Sequence, residues 1–326
     1  MRRRNLITLL GGAVAWPVVA RAQQAAMPVI GFLGSQSPDA IPDYLRALRQ
    51  GLKEAGFVEG ENIAIEYRWA ENQVDRLPAL AAELARRRVA MIVSGGGPAS
   101  MAAGKATTSI PVVFLVAEDP VRLGLVASLS RPGGNATGVN FFSAELAAKR
   151  LELLRALVPG AARIGVLVNP TETAVAAANL RDVEAAAQAM GLQIRVLNAS
   201  TRDEIDAAYA ALARERPDAL FISSGPFFSD RRVQMAHLAT HHAFPAIHGS
   251  RLYAEVGGLI SYGANIAHAY RQAGLYAGRI LKGAKPADLP VVQSSKFDLV
   301  VNLHAAKLLG ITVPPSLLAT ADEVIE

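Results

Sequence analysis

The chain has 326 residues, of which 51% are hydrophobic, and it contains no cysteine. Disulfides, thiolate catalysis and Cys-ligated metals are therefore excluded. The formal net charge of +5 arises largely near the N-terminus, where Arg2, Arg3, Arg4 and Arg21 stand without an acidic neighbour. Basic and acidic residues nearly balance in the rest of the chain, so the charge does not indicate nucleic-acid binding.

The first 22 residues have the pattern of an export signal. Three arginines precede the apolar run Leu6–Ala15, and Ala20-Arg21-Ala22 is a small-residue cleavage site. The run is too short for a bilayer, which takes about 20 residues, so we predict no stable membrane anchor. Arg3-Arg4 also fits a twin-arginine signal, which leaves the Sec and Tat routes both open. We expect a periplasmic protein that is cleaved after Ala22.

Short β-rich apolar runs alternate with amphipathic helical stretches along the first half, as in parallel α/β sheets. Leu45, Leu48 and Leu52 recur at helical spacing, and Gly56 ends that helix. The elements that we predict here are, in chain order, strand Val29–Leu33, helix Tyr44–Ala55, strand Ile63–Trp69, helix Val74–Arg87, strand Ala90–Ser94, a helix from near Pro98, strand Pro111–Val116, helix Val121–Ser130 and the extended crossover Gly138–Phe141.

Helix Glu145–Leu157 follows this crossover, and the same order of elements then restarts. The predicted elements of the second half are strand Arg163–Val168, helix Ala174–Met190, strand Gln193–Leu197, helix Arg202–Arg214, strand Ala219–Ile222, helix Asp230–His242 and strand Ala246–Ile247. Helix Ile266–Leu281 and segment Lys296–Asn302 are expected to return towards the first half, and helix His304–Leu309 ends at Gly310.

Without the predicted signal peptide the chain has about 300 residues. This exceeds the size at which one hydrophobic core usually stops growing, so two domains are expected. We predict an α/β fold of two Rossmann-like lobes, each a parallel sheet flanked by helices. Several crossings between the lobes would form a hinge. The predicted divisions are a signal peptide over 1–22, an N-terminal lobe over 23–140 with a returning segment near 263–296, a C-terminal lobe over 141–262 and a crossing C-terminal segment over 297–326.

Four stretches resemble a known family: the leader MRRRNLITLLGG, segments Ile110–Phe141 and Gly257–Val291, and the ending from Lys296. They are similar to the ABC-transporter substrate-binding proteins, whose characterised members include TrpX-like binders of aromatic amino acids. The resemblance implies a type I periplasmic-binding-protein fold with a ligand closed between two lobes. It also implies an ABC permease and its ATPase as partners, and it does not name the solute.

Ligands of open parallel sheets bind beyond the carboxyl ends of the strands. Five loops would lie there, and aromatic side chains nearby could cover an apolar or cationic group. The predicted ligand-binding residues are Ser35, Gln36, Gly95, Gly96, Gly97, Pro98, Ala99, Glu118, Asp119, Phe141, Asn169, Thr171, Thr173, Ser223, Ser224, Gly225, Phe227 and Tyr253.

Some of these residues have a second interpretation. The Gly95–Gly97 loop would let a ligand carboxylate or phosphate approach a helix N-terminus, or it is an ordinary strand–helix turn. Asp119, which the family resemblance favours, would suit a ligand amino group or would cap the next helix. Asn169 and Thr171 would contact ligand, cap a helix, or do both.

The expected function is therefore capture of a small ligand, a carboxylate with an apolar or aromatic body such as an aromatic amino acid. We expect a monomer without a metal or cofactor. A periplasmic sensing module that presents solute to a receptor is the alternative. An enzyme has no support, because the chain has no Gly-x-Ser-x-Gly elbow, and the pair His237 and His241 lacks the metalloprotease glutamate.

Overall fold

The computed structural model describes residues 27–141, 146–171, 173–294 and 296–326. The predicted signal peptide lies outside them. The strands of the described residues are β1 (Val29–Gly34), β2 (Ala64–Trp69), β3 (Met91–Gly95), β4 (Val112–Val116), β5 (Ala136–Asn140), β6 (Arg163–Val168), β7 (Gln193–Asn198), β8 (Ala219–Ile222), β9 (Ala246–His248), β10 (Ile260–Ala264), β11 (Val292–Gln293), β12 (Phe297–Asn302) and β13 (Glu323–Ile325).

Two separate sheets contain these strands. The first has the order β2-β1-β3-β4-β5-β11 and is parallel throughout. The second has the order β7-β6-β8-β9-β10-β12-β13, in which only the pairing of β10 with β12 is antiparallel among the described strands. The central strands β3, β4 and β8 are buried along their whole length, as expected for parallel strands with helices on both faces.

Helices cover both sheets. They are α1 (Pro42–Glu54), α2 (Leu77–Arg86), α3 (Gly97–Ala106), α4 (Leu146–Leu157), α5 (Thr173–Ala189), α6 (Arg202–Glu215), α7 (Pro226–Asp230), α8 (Arg232–His241), α9 (Arg251–Glu255), α10 (Ile266–Leu281), α11 (Leu303–Leu308) and α12 (Pro315–Leu318). None of these described helices is both long and apolar enough to cross a membrane.

The chain passes between the sheets three times. It leaves the first sheet after β5, returns after β10 with α10 and β11, and leaves again before β12. We call residues 27–140 and 266–293 the first lobe, and residues 146–264 and 297–326 the second lobe. Each lobe has hydrophobic clusters on both faces of its sheet. The α/β fold class with two mainly parallel sheets is confirmed.

Helix α10 is tied to the first lobe by a close crossing with α1. A Cβ on Gly51 would collide with the backbone oxygen of Arg271, and one on Gly274 would collide with that of Leu48. Two glycines thus allow the helix backbones to touch, which side chains would prevent. Ala273 and Ala277 of α10 pack with Leu48 and Leu52 of α1 in one buried cluster.

The structure corrects three predicted elements. Residues Val121–Ser130 form turns and not a helix. The predicted helix Asp230–His242 is two helices, α7 and α8, that meet at Arg231. Segment Lys296–Asn302 does not return to the first lobe, because β12 pairs with β10 and β13 in the second sheet. The apolar pattern of β12 suits either sheet, so pattern alone did not decide its partner.

Candidate ligand-binding cleft between the two lobes

A cavity of about 110 Å³ lies between the lobes at the carboxyl ends of their strands. The loops after β1, β3, β4 and β5 line it from the first lobe, and the loops after β8 and β9 line it from the second. Helix α4 and the start of α10 complete its walls. This is the position where open parallel sheets bind their ligands.

Arg150 of α4 brings a positive charge to this cavity. The residue is only 3% exposed, and its Nε donates to the Tyr262 carbonyl oxygen at 2.7 Å. One terminal nitrogen donates to Ser224 Oγ at 3.0 Å, and the guanidinium lies over the Phe221 ring. Burial lowers the pKa of Arg150 to about 10, which leaves it charged at neutral pH. No carboxylate of the described residues forms an ion pair with it, so its charge is available to an anion.

Glu118 brings a carboxyl group to the cavity from the first lobe. Its Oε2 is shielded from solvent and has no hydrogen-bond partner among the described residues. Burial raises the pKa of Glu118 to about 6, against the opposing effect of backbone hydrogen bonds. Asn140, the last residue of β5, holds the loop by donating to the carbonyl oxygens of Val116 and Glu118 at 3.1 and 2.7 Å. A cationic donor would satisfy this carboxylate.

His248, at the end of β9, is 1% exposed and lines the same cavity. Its Nδ1 accepts a hydrogen bond from the Ser250 backbone N–H at 2.9 Å, which leaves the ring proton on Nε2. Burial lowers the pKa of His248 to about 3, and the charge of Arg150 adds to that effect. Nε2 has no partner among the described side chains and backbone groups. The ring is therefore a neutral hydrogen-bond donor.

Aromatic and aliphatic side chains form the apolar wall of the cavity. Tyr44 of α1 and Tyr270 of α10 stack with ring centroids 5.3 Å apart, and both are buried. Burial raises the pKa of Tyr44 to about 12, so its hydroxyl stays protonated. Phe141, Leu115 and Ile266 add apolar surface. Such a wall suits a flat or aliphatic ligand body.

A carboxylate of the second lobe joins the two lobes beside the cavity. Asp230, at the end of α7, accepts hydrogen bonds from the Ser37 backbone N–H at 3.2 Å and from the Ser37 hydroxyl at 3.3 Å. Gln36 Nε2 donates to it at 3.3 Å, and Asn72 Nδ2 donates as well. Burial raises the pKa of Asp230, and these donors oppose the shift. These hydrogen bonds join the second lobe to the first in this structure.

Seven of the predicted site residues line the cavity: Gln36, Gly96, Gly97, Glu118, Phe141, Ser224 and Gly225. The Gly95–Gly97 loop has a different environment from the one expected. A Cβ on Gly97 would lie 2.7 Å from Glu118 Oε2, so the protein's own carboxyl group stands at the start of α3. A ligand carboxylate there would meet a like charge, and Arg150 offers it a better position.

The other predicted site residues do not line this cavity. Asp119 accepts from the backbone N–H of Val121 at 2.8 Å within a turn, and no helix follows it for this residue to cap. Asn169 and Thr171 bond to each other at 2.8 Å, between their side chains. Phe227 and Tyr253 are in the core of the second lobe. The side chain of Thr173 lies outside the described residues. The other predicted site residues that do not line the cavity are Ser35, Gly95, Pro98, Ala99 and Ser223.

Sequence reasoning missed the strongest polar group of the cleft. Arg150 lies in the middle of a predicted helix, where an arginine is normally exposed. One signal was present: α4 carries leucines at 146, 151, 153, 154 and 157, so Arg150 falls beside its apolar face. His248 follows a short predicted strand, as other predicted ligand-binding residues do, but it was not among the predicted site residues. Among the described residues no three His, Cys, Asp or Glu side chains cluster as a metal site.

Comparison with known proteins gives three informative relatives. A curated tyrosine-binding protein of Clostridioides difficile is 27% identical over 263 residues, which are 80% of this chain and 74% of that protein. A Streptococcus pneumoniae ABC domain in complex with L-Trp has 26% identity and a TM-score of 0.84, over 91% of this chain and 99% of that one. A ligand-free, open substrate-binding protein from Clostridium difficile has 26% identity and a TM-score of 0.66, over 92% and 99%.

The two TM-scores differ although the identities are equal. By this measure the structure is more similar to the relative in complex with L-Trp than to the ligand-free, open one. The fold is that of the type I periplasmic binding proteins. The family model described as ABC transporter substrate binding protein matches residues 29–325. The chain belongs to this family of ligand-binding proteins.

Proposed function

We propose that this protein captures an α-amino acid with an apolar or aromatic body in the cleft between its lobes. It acts as the periplasmic binding component of an ABC importer and hands the ligand to a permease and its ATPase. The observation that carries this proposal is the pair of opposite charges in one cavity. Arg150 and Glu118 line it from opposite lobes, and neither has an ion-pair partner among the described residues.

A zwitterion matches this pair of charges. The guanidinium of Arg150 would take the ligand carboxylate through charge-assisted hydrogen bonds, and Glu118 Oε2 would take the ammonium group. The stacked rings of Tyr44 and Tyr270, together with Phe141, would then cover the side chain of the ligand. Relatives described as binding tyrosine and L-Trp support an aromatic amino acid as the first candidate.

Because each lobe supplies one of the two charges, only a closed cleft can satisfy both ends of one zwitterion. Ligand binding would therefore favour closure through differential affinity for the closed state. The three chain crossings after β5, after β10 and before β12 would form the hinge. The hydrogen bonds of Asp230 with the first lobe would assist closure.

The family and the N-terminal sequence support the proposed cellular role. Proteins of this family are typically extracytoplasmic, and the leader with its Ala20-Arg21-Ala22 pattern supports export and cleavage after Ala22. We expect a monomer. A sensing module that presents the ligand to a receptor remains the second candidate, and permease and ATPase genes beside this one would favour transport.

A thermal-shift screen against the twenty L-amino acids tests the proposal. The expected result is a rise in melting temperature with a few aromatic or large apolar amino acids, because a ligand that binds only the folded state stabilises it. Sugars and dicarboxylates serve as controls. A shift with sugars and none with any amino acid would contradict the proposal.

A further inference from the structure

Arg150 belongs to a cluster of polar groups at the cavity. Arg150 donates to Tyr262 and to Ser224 Oγ, so the Ser224 hydroxyl proton is directed away from the guanidinium. Gly249 packs against both groups, and a Cβ there would lie 2.5 Å from a terminal nitrogen of Arg150 and would collide with Ser224 Oγ. His248 directly precedes Gly249 and lines the same cavity, and Arg150 is near enough for its charge to lower the pKa of the imidazole.

The orientation of His248 is set by its neighbours and not by a ligand. The Ser250 N–H occupies Nδ1 at 2.9 Å, and the ring stacks on Tyr253 at a centroid distance of 5.4 Å. The proton must then be on Nε2, which is buried and has no partner among the described residues. A buried N–H without a partner is costly, so a group that supplies an acceptor gains from meeting it.

We infer that His248 is a specificity-determining residue that, with Arg150 and Ser224, selects a free carboxylate and rejects the corresponding carboxamide. This inference rests on the proposed function. A carboxylate offers two acceptor oxygens and no proton, so it can receive hydrogen bonds from the guanidinium and from Nε2–H together. A carboxamide offers only one acceptor oxygen. Its NH2 group would face either the guanidinium or Nε2–H, so that this protein donor and the amide N–H would both lack an acceptor.

Charge alone would give a different selectivity. Arg150 attracts any anion, including phosphates and sulfonates, whereas two donors from different elements fix the plane and the spacing of the acceptors. Since the His248 ring carries no charge, its contribution is directional. Removal of the His248 Nε2–H group should therefore reduce the preference for carboxylate over carboxamide. Binding of the amino acid should still depend on Arg150.

The test uses L-tryptophan, L-tyrosine and their primary amides in calorimetric titrations of the mature protein. Wild type should bind each amino acid at least about tenfold more tightly than its amide, because the amide cannot form one of the hydrogen bonds that the charged carboxylate accepts. His248→Phe keeps a ring against Tyr253 but removes Nε2–H, and it should lower affinity for the amino acid by about tenfold while changing amide affinity little. His248→Gln places an NH2 group near Nε2 and should restore much of the preference.

The possible outcomes separate the two proposals. If wild type binds neither amino acid nor amide, both the proposed function and this inference are overturned. If wild type binds the amino acids but His248→Phe and His248→Gln keep the wild-type ratio of amino-acid to amide affinity, the role of His248 is overturned and the proposed function stands. A merely structural His248 would lower the melting temperature of both variants without changing that ratio.

Discussion

Glu118 of the first lobe and Arg150 of the second lobe line one cavity, and neither pairs with an opposite charge of the described residues. Charged groups that are withdrawn from water normally have such a partner. An unsatisfied pair of opposite charges across a cleft therefore indicates a ligand with complementary ends.

Replacing Arg150 with methionine should separate binding from stability. We expect at least about a hundredfold loss of affinity for L-tryptophan, because more than one charge-assisted hydrogen bond is removed. The melting temperature of the ligand-free protein should change little, because removal of a buried charge without a counter-ion offsets the loss of the hydrogen bonds to Tyr262 and Ser224. Arg155→Met, at an exposed position on the same helix, is the control. A large fall in melting temperature for Arg150→Met would contradict this view.

Affinity should depend on pH through Glu118. Burial raises the pKa of the ligand-free carboxyl group to about 6, and a bound ammonium group would lower it again. Affinity should thus be constant above about pH 7 and should fall as the pH decreases through 6, by up to about tenfold per pH unit. Calorimetry at pH 5, 6 and 7.5 measures this, and proton release on binding should be near zero at pH 7.5 and greatest at a pH between the lowered pKa of the bound state and 6. Glu118→Gln should bind more weakly and show a flat profile; an unchanged profile would exclude Glu118 as the titrating group.

The hydrogen bonds of Asp230 should contribute to closure and not to ligand recognition. Asp230→Asn replaces one acceptor oxygen with an NH2 group that faces the donors of Ser37 and Asn72. Affinity should fall roughly fivefold for every ligand alike, about the effect of one hydrogen bond, mainly through faster dissociation. X-ray scattering should show a larger radius of gyration without ligand. Asp206→Asn, whose carboxylate contacts Gln234 within the second lobe, should behave as wild type.

Gly96 should tolerate no side chain in the closed form. Its φ of +95° is one that other residues rarely adopt, and a Cβ would lie 3.2 Å from Pro226 Cγ in the second lobe. Gly96→Ala should therefore weaken binding about tenfold through backbone strain together with steric separation of the lobes. Gly124→Ala is the matched control, because Gly124 also has a positive φ, of +71°, but a Cβ there would have open space. Equal affinities for the two variants would show that the close approach of Gly96 to Pro226 does not limit closure of the lobes.

Much of the fold could be predicted because apolar periodicity is local. The spacing of Leu45, Leu48 and Leu52 indicated α1, and Ile266–Leu281 has the same bounds in sequence and structure. The partner of β12 could not be predicted, since an apolar strand does not encode which sheet edge it joins. The short elements β11 and β13 have too few residues to show any period.

The sequence predicted part of the lining of the candidate cleft but not its charged groups on helices. Loops after strands are visible in a sequence, and seven residues from those loops line the cavity. Arg150 and Tyr44 reach it from helices, and their exposure depends on how the lobes face each other. A helical arginine in isolation is indistinguishable from a surface charge, so three-dimensional packing was required to reveal it.

The most direct test of the central claim is a calorimetric comparison of L-tryptophan with tryptamine and indole-3-propionate. Tryptamine lacks the carboxylate that Arg150 would bind, and indole-3-propionate lacks the ammonium group that Glu118 would bind. At pH 7.5 the amino acid should bind at least about tenfold more tightly than either analogue, since each loses a charge-assisted interaction. Equal affinity for all three compounds would contradict recognition of a zwitterion between the two lobes.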